Sequence, residues 1–160
     1  HIYGLLLLFM LLSYGYTFAQ SKPQADYNYL VYLPKNYAHQ TVEYPLVVYL
    51  HGGQHKGDDL TQLKGYGLPR LVDQGREFDF IVVSPQCPAD TYWSTADWFG
   101  PLYEKIKAEY RIDTNRVYLT GVSMGGYGTF IVAMDYPDTF AAIVPLCGDA
   151  TTATRLVSAT

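Results

Sequence analysis

A serine within a glycine-rich pentapeptide is the residue of this sequence best suited to covalent chemistry. Ser123 lies in Gly121-Val122-Ser123-Met124-Gly125, between the apolar run 117–120 and a helix predicted over residues 124–136. A Gly-x-Ser-x-Gly between a buried strand and a helix is typical of a nucleophile elbow, which strains the serine backbone and lifts its hydroxyl above the sheet. Glycines are needed there because side chains would collide with neighbouring elements. We therefore predict that Ser123 is a catalytic nucleophile.

A second glycine motif could supply the electrostatic part of the same chemistry. His51-Gly52-Gly53-Gln54 follows another apolar run, 46–50. Acyl transfer builds negative charge on the carbonyl oxygen, and backbone N–H groups that already point at it stabilise that charge. One such donor is the residue after the nucleophile, here Met124. The other is Gly53 or Gln54, with Gly53 preferred because a residue without a side chain lets substrate approach the backbone.

The proton-transfer partners of Ser123 are harder to find. In folds with this elbow the chain order is serine, acid, histidine, yet all four histidines of the sequence precede Ser123. That order assigns His51 a structural loop role rather than the role of general base. Asp149 follows a predicted strand and could be the triad acid, but that acid more usually follows the next strand. We therefore expect the acid and the histidine of the triad to lie outside this sequence.

The elements around these motifs alternate between strands and helices. Segment 27–33 is rich in aromatic and branched residues, and four further runs are apolar on both faces, as in a parallel sheet covered on both sides. These runs are 46–50, 78–83, 117–120 and 140–146. Apolar stripes predict helices, a short one at Leu68, Leu71 and Val72, and a longer one at Trp98, Leu102, Ile106 and Tyr110. Residues 113–116 have turn chemistry. The pattern predicts an α/β fold with a mostly parallel sheet and helices on both faces.

Composition excludes several classes of function. The 160 residues are 49% hydrophobic, as in a globular domain, and 11 Lys and Arg against 15 Asp and Glu leave no basic stripe for nucleic acid. Asp58 and Asp59 are adjacent acids without further ligands, which indicates a solvated loop and a helix cap rather than a metal site. We expect no metal, and no membrane contact beyond export.

The first 19 residues have the features of a secretory signal. An unbroken apolar run, 5–12, is too short to span a bilayer, and the small residues Thr17 and Ala19 stand where signal peptidase reads them. The alternative is an uncleaved membrane anchor. We predict a signal peptide at 1–19, a single domain at 20–160, and a secreted or periplasmic protein.

Three motifs carry a resemblance to a known family. Residues 118–129 (YLTGVSMGGYGT), 84–88 (SPQCP) and 145–148 (PLCG) closely resemble the secreted α/β-hydrolase esterases and predicted peptidases related to prolyl oligopeptidase, dienelactone hydrolase, feruloyl esterases and polyhydroxybutyrate depolymerases. The resemblance extends over about 27–148. It implies an α/β-hydrolase fold, a Ser-Asp-His triad, no cofactor, and hydrolysis of small-molecule or polymer-linked carboxylic esters.

The resemblance also sets expectations for the chain after residue 148 and for the cysteines. Family members continue through further strands that deliver the acid and the histidine, so we expect a sequence truncated after the strand that ends near 146 and inactive by itself. The family's sheet order places the 78–83 and 140–146 strands three positions apart, about 14 Å. Because a disulfide needs Cα atoms within about 7 Å, Cys87 and Cys147 are expected to be free, largely buried thiols.

Three functional interpretations remain open from the sequence. An esterase that forms an acyl-enzyme on Ser123 leads, followed by a serine peptidase of the prolyl oligopeptidase type. The third is a non-catalytic fragment or binding module, because the triad acid and histidine are absent. Trp93, on a loop, is assigned either to an aromatic wall of the substrate site or to packing, whereas Trp98 on its helical stripe is assigned to packing.

Overall fold

A computed structural model describes residues 22–148, which form a five-stranded sheet with helices on both faces. The strands are β1 (Tyr29–Tyr32), β2 (Tyr44–Leu50), β3 (Ile81–Pro85), β4 (Ile112–Val122) and β5 (Ala142–Leu146), and the helices are α1 (Gly67–Asp73), α2 (Phe99–Glu109) and α3 (Met124–Asp135). Short 3₁₀ turns cover Tyr37–His39, Gly53–His55 and Leu60–Gly65. The predictions for residues 1–19 and for Asp149 lie outside the described residues.

The sheet has the order β1-β3-β2-β4-β5. β1 runs antiparallel to β3, and the remaining neighbours pair in parallel. Successive side chains of β2 point to opposite faces of the sheet, and both faces are covered. Leu46, Val48 and Leu50 join the main core with residues of α2 and α3, whereas Tyr49 points the other way and contacts Gly67 at the start of α1. The predicted mostly parallel α/β fold is confirmed.

β5 departs from the predicted burial. β3 is buried along its whole length, but Val144 and Leu146 of β5 are 55% and 48% exposed. Within residues 22–148, β5 pairs only with β4, so one flank and one face carry no neighbour. The expectation that the 140–146 run is covered on both faces is wrong for the described chain.

The turn chemistry at residues 113–116 lies inside a strand rather than before one. Tyr44 pairs with Ile112 and Leu46 pairs with Val117, so a step of two residues on β2 faces a step of five on β4. The extra residues form a bulge in which Asp113 accepts from the N–H of Asn115 at 2.9 Å and pairs with Arg116. The polar segment therefore continues β4 as a bulge.

The two cysteines are both free, as expected, and β3 and β5 are three positions apart in the sheet. Cys87, after β3, is buried, whereas Cys147 is exposed. The prediction of a buried thiol at Cys147 is wrong because it follows the strand with the open flank. In the described part of the chain, no helix is both long and apolar enough to cross a bilayer.

Candidate active site

The turn between β4 and α3, residues 121–126, has the geometry of a nucleophile elbow, and we call it the elbow. Ser123 takes φ 54° and ψ −115°, a conformation that costs a non-glycine residue of order 1–3 kcal/mol. Its N–H donates to the carbonyl of Leu146 at 2.8 Å, which ties the turn to the end of β5. The side chain is exposed at the positive end of α3. The backbone thus holds a strained serine with its hydroxyl open to solvent.

Close backbone packing on both sides of Ser123 explains its glycines. A Cβ atom on Gly121 would overlap the backbone of Gly125, and one on Gly125 would overlap the Leu50 carbonyl at the end of β2. Thr129, one turn further along α3, donates its hydroxyl to the Gly125 carbonyl at 2.8 Å. The elbow therefore packs directly against β2, with no room for a side chain at Gly121 or Gly125.

The second glycine motif lies beside the elbow. We call residues 51–59 the glycine loop. A Cβ atom on Gly52 would lie 3.8 Å from Ser123 Cβ, whereas the same position on Gly53 is open. Gly53, Gln54 and Ser123 line a common cavity of about 230 Å³. Met124 begins α3, so its N–H has no acceptor within the helix. Of the residues expected to form an oxyanion hole, Gly53 and Gln54 thus share a cavity with Ser123, and Met124 lines a second cavity that also contains Ser123.

Buried polar side chains hold the glycine loop. Gln86, 2% exposed, donates its amide N–H groups to the carbonyls of His55 and Asp59, both at 3.0 Å. The next residue, Cys87, accepts from the N–H of Gly57 at 3.0 Å and donates its own N–H to His51 Nε2 at 3.0 Å. Four hydrogen bonds therefore join the end of β3 to both ends of the loop.

His51 is a structural member of this network. Because Nε2 accepts from Cys87, the proton resides on Nδ1, which donates to the Gly52 carbonyl at 2.7 Å. The pKa of His51 is lowered to about 4, mainly by burial and in smaller part by nearby His55 and Lys56, against the opposing effect of the Gly52 hydrogen bond. Both ring nitrogens are engaged, so His51 cannot reach the Ser123 proton as a base, in line with its assigned loop role.

Trp93 packs in the core and also lines a cavity beside Ser123. Its ring is 2% exposed, contacts Trp98 at 5.0 Å between centroids, and donates Nε1–H to the His51 carbonyl at 3.3 Å. It also lines a second cavity of about 320 Å³ that contains Ser123 and is bounded by Tyr92, Ser94, Met124, Tyr127, Gly128 and Ile131. Trp93 is thus a core residue with one edge on the site. Trp98 is buried in the core, as assigned.

A cavity larger than these two lies elsewhere in the described chain. It measures about 450 Å³, lies between β1 and α1, and contains no residue of the elbow or the glycine loop. Its charged residues, Lys64 and Asp73, form an ion pair with each other at 2.9 Å. Because these charges neutralise each other, the charge of this cavity gives no reason to move the candidate site away from Ser123.

Asp59, one of the two adjacent acids of the glycine loop, serves as a cap. Asp59 accepts from both the N–H and the hydroxyl of Thr61, at 3.0 and 2.6 Å, at the start of the 3₁₀ turn 60–65, and these bonds lower its pKa. Within residues 22–148, no cluster of three His, Cys, Asp or Glu side chains is suitable for a metal ion.

Two contributors to the site were missed by reasoning from sequence. Gln86 acts across about 30 residues of chain, and its only sequence signal was its place after a buried strand, between Pro85 and Pro88. Tyr66 lines the smaller cavity, stacked on His55 at 6.4 Å between ring centroids. Nothing in its local sequence distinguishes it from other surface tyrosines.

The sequence of this chain is similar to those of known proteins. A sequence model of the prolyl oligopeptidase family matches residues 96–155. Poly(3-hydroxyalkanoate) depolymerase C of Paucimonas lemoignei is 32% identical over 121 residues, 65% of this chain and 28% of that protein. A bifunctional acetylxylan esterase/xylanase of Neocallimastix patriciarum is 34% identical over 126 residues, 74% of this chain and 17% of that protein.

A solved structure agrees with them. It is described as that of a thermostable esterase, is 33% identical, has a TM-score of 0.57, and matches 80% of this chain and 39% of its own. This chain therefore spans less than two fifths of the length of each of these three relatives.

Proposed function

Because this chain belongs to the α/β-hydrolase esterase group, we propose that it hydrolyses carboxylic esters through an acyl-enzyme on Ser123. The observation that carries the proposal is the exposed Ser123 at φ 54°, at the start of α3 and beside Gly52. A serine in this conformation is costly to maintain, and such strain concentrates at catalytic positions. No cofactor enters the proposed reaction.

The proposed reaction has two steps. Ser123 Oγ attacks the ester carbonyl, its proton passes to a histidine, and the carbonyl oxygen becomes an oxyanion held by the N–H groups of Met124 and of Gly53 or Gln54. Collapse of this intermediate expels the alcohol, which takes the proton from the histidine. Water then attacks the acyl-enzyme by the same route and releases the acid and the free serine.

The histidine and the acid of this mechanism are proposed to come from further chain. All four histidines of the sequence precede Ser123, and both ring nitrogens of His51 are occupied. A chain without the base would retain only the acceleration from the oxyanion hole and binding, about 10³–10⁴ over water. The 160 residues alone are accordingly proposed to be inactive, as a fragment or a binding module would be.

A peptidase is the second candidate because the prolyl oligopeptidase family matches residues 96–155. The esterase proposal is preferred since the two relatives from Paucimonas and Neocallimastix are named as a depolymerase of a polyester and as an acetylxylan esterase. We propose small-molecule or polymer-linked esters as substrates. Export by a signal peptide at 1–19, to a secreted or periplasmic location, is proposed on the sequence pattern.

The test uses the protein expressed from its complete coding sequence. Turnover of p-nitrophenyl acetate is expected, with at least a 10³-fold loss in Ser123→Ala, and no cleavage of a proline-containing peptide amide. Ser94→Ala is the matched control, because Ser94 is exposed on the same cavity. Peptide cleavage that depends on Ser123 would favour the second candidate, and turnover unchanged in Ser123→Ala would refute both.

A further inference from the structure

The exposed aromatic side chains of the described residues are concentrated at one place. Tyr92, Tyr66 and Tyr127 are 60%, 51% and 40% exposed, and they are the only large aromatic side chains exposed to this degree within residues 22–148. All three line a cavity that contains Ser123. Tyr66 lines the cavity of about 230 Å³, and Tyr92 and Tyr127 line that of about 320 Å³. Exposed aromatic rings therefore flank Ser123 in both cavities.

Tyr66 is presented by a tight turn. Gly67, at φ 67°, sits directly on the buried ring of Tyr49, where a Cβ atom would overlap the Tyr49 hydroxyl. This contact fixes the backbone at the start of α1. The His55 ring stacks near Tyr66, with 30° between the ring planes. Tyr66 is thus held from behind, and its exposed part faces the smaller cavity.

Tyr92 is held by contacts on its backbone and on its ring. Its N–H donates to Thr95 Oγ1 at 2.9 Å, and the Thr95 N–H donates back to the Tyr92 carbonyl at 3.0 Å. Lys56 Nζ lies 4.6 Å from the ring centroid and donates to the neighbouring Thr91 carbonyl at 3.1 Å. These contacts orient the ring before any ligand arrives.

Tyr127 is fixed by the helix that follows Ser123. Its N–H donates to the Ser123 carbonyl at 3.1 Å, within the first turn of α3. The next residue, Gly128, packs on the Trp93 ring, since a Cβ atom there would come within 2.6 Å of Trp93 Cγ. The backbone that carries Tyr127 is therefore in contact with both the elbow and the core.

The two cavities also share a charge property. Neither is lined by an aspartate or a glutamate, although the chain has 15 of them. The larger cavity has mostly aromatic or apolar side chains, and the smaller one combines Tyr66 and Val122 with polar side chains and two glycines. Each cavity is several times larger than the roughly 30 Å³ that one water molecule occupies in the liquid. The space on either side of Ser123 therefore suits bulky, uncharged groups with flat faces.

We propose that Tyr66, on one side of Ser123, and Tyr92 with Tyr127, on the other, form two aromatic subsites that stack the acyl and alcohol halves of the substrate. The preferred substrate carries an uncharged ring on both sides of the scissile ester. This inference rests on the proposed esterase function. The shared ligand chemistry is a flat ring face, which either an aryl group or a sugar ring provides.

The test compares kcat/KM for matched esters in the protein from its complete coding sequence. Ethyl acetate carries no ring, ethyl benzoate carries one on the acyl side, and benzyl acetate carries one on the alcohol side. Tyr66→Ala is expected to lower kcat/KM for one ring-bearing ester, relative to kcat/KM for ethyl acetate, by about tenfold. Tyr127→Ala is expected to lower the same ratio for the other ring-bearing ester. Tyr→Phe at either position should retain most of the ratio, because stacking needs the ring rather than the hydroxyl.

Leu71→Ala is the control, since Leu71 is 41% exposed on α1 and lines neither cavity. It should leave every ratio unchanged. A mono-acetylated methyl xyloside in place of benzyl acetate distinguishes a sugar ring from an aryl ring. The proposal would be overturned if neither alanine variant changed the kcat/KM ratio of a ring-bearing ester to ethyl acetate, or if both variants changed it for the same ester. A fall of this ratio in the Phe variants would also overturn it.

A binding measurement separates this inference from the proposed function. In a Ser123→Ala background, which prevents turnover through the serine, Kd for ethyl benzoate and for benzyl acetate is measured by ligand-observed NMR. Each alanine variant is expected to raise Kd for one of the two ligands by about tenfold. If the wild type hydrolyses no ester but these shifts occur, the esterase proposal fails and the subsites stand. If the wild type hydrolyses esters but the alanine variants leave Kd unchanged, the subsite proposal is refuted and the esterase proposal stands.

Discussion

The elbow and the glycine loop meet at Ser123, and they are held by different kinds of interaction. In the elbow, glycine backbone is pressed against the carbonyls of β2, so exclusion of side chains fixes the turn. In the glycine loop, Gly53 has open space around it, and the turn is fixed from outside by Gln86, Cys87 and His51 through buried hydrogen bonds.

The contrast has a functional consequence. The proposed nucleophile is held by close packing, which a change of solvent does not alter. The proposed oxyanion donor of the glycine loop is held by polar groups that respond to pH and to the loss of a single partner. We therefore expect the elbow to be sensitive to added side-chain volume, and the glycine loop to be sensitive to pH and to the loss of a hydrogen-bond partner.

The largest effect is expected at the elbow. Gly125→Ala places a methyl group into the Leu50 and His51 carbonyls, so β2 and α3 must separate, and we expect a loss of about 4 kcal/mol or more in the free energy of unfolding. Gly53→Ala, with no atom near its Cβ position, should stay within about 0.5 kcal/mol of wild type. Urea unfolding measures both. A Gly125→Ala protein as stable as Gly53→Ala would show that shape does not hold the elbow.

A smaller, pH-dependent effect is expected in the glycine loop. The pKa of His51 is lowered from 6.5 to about 4, so the unfolded chain takes up this proton first as the pH falls. The contribution of neutral His51 is complete above pH 6.5, is lost between 6.5 and 4, and amounts to about 3 kcal/mol.

Urea unfolding at pH 7, 5.5 and 4.5 tests this sign. The loss of stability on acidification should be smaller in His51→Gln than in wild type. His39→Gln, which changes an exposed histidine, should behave like wild type. Equal acid sensitivity in wild type and His51→Gln would contradict a buried neutral imidazole.

The third effect distinguishes the loop from the elbow through activity. Gln86→Met keeps the side-chain length but removes both donors to His55 and Asp59, and we expect a loss of about 2 kcal/mol of stability. Since oxyanion contacts form in the transition state, kcat should fall about tenfold or more with KM nearly constant. Gln74→Met, at an exposed position after α1, is the control. A change confined to stability would make Gln86 merely structural.

Much of the fold could be predicted from the sequence because four strands have an apolar run and two helices have an apolar stripe. The elbow was also readable, since Gly121, Ser123 and Gly125 lie within five residues and their conformational demands are local. β4 was predicted too short because its bulge at 113–116 depends on pairing with β2, which local turn chemistry does not reveal.

The features that could not be predicted depend on distant contacts. Gln86 and the glycine loop meet only after β2 and β3 pair, and the exposure of Cys147 results from the neighbours that β5 has in space. Tyr66 reaches the site because Gly67 packs on Tyr49, a contact between residues far apart in sequence. Such contacts cannot be predicted from the spacing of residues along the chain.

The most direct measurement of the central claim is active-site labelling of the protein expressed from its complete coding sequence. A fluorophosphonate probe followed by peptide mapping is expected to place a single adduct on Ser123, with none in Ser123→Ala and full labelling in Ser94→Ala. An adduct on Ser94, or labelling that persists in Ser123→Ala, would contradict the assignment of Ser123 as the nucleophile.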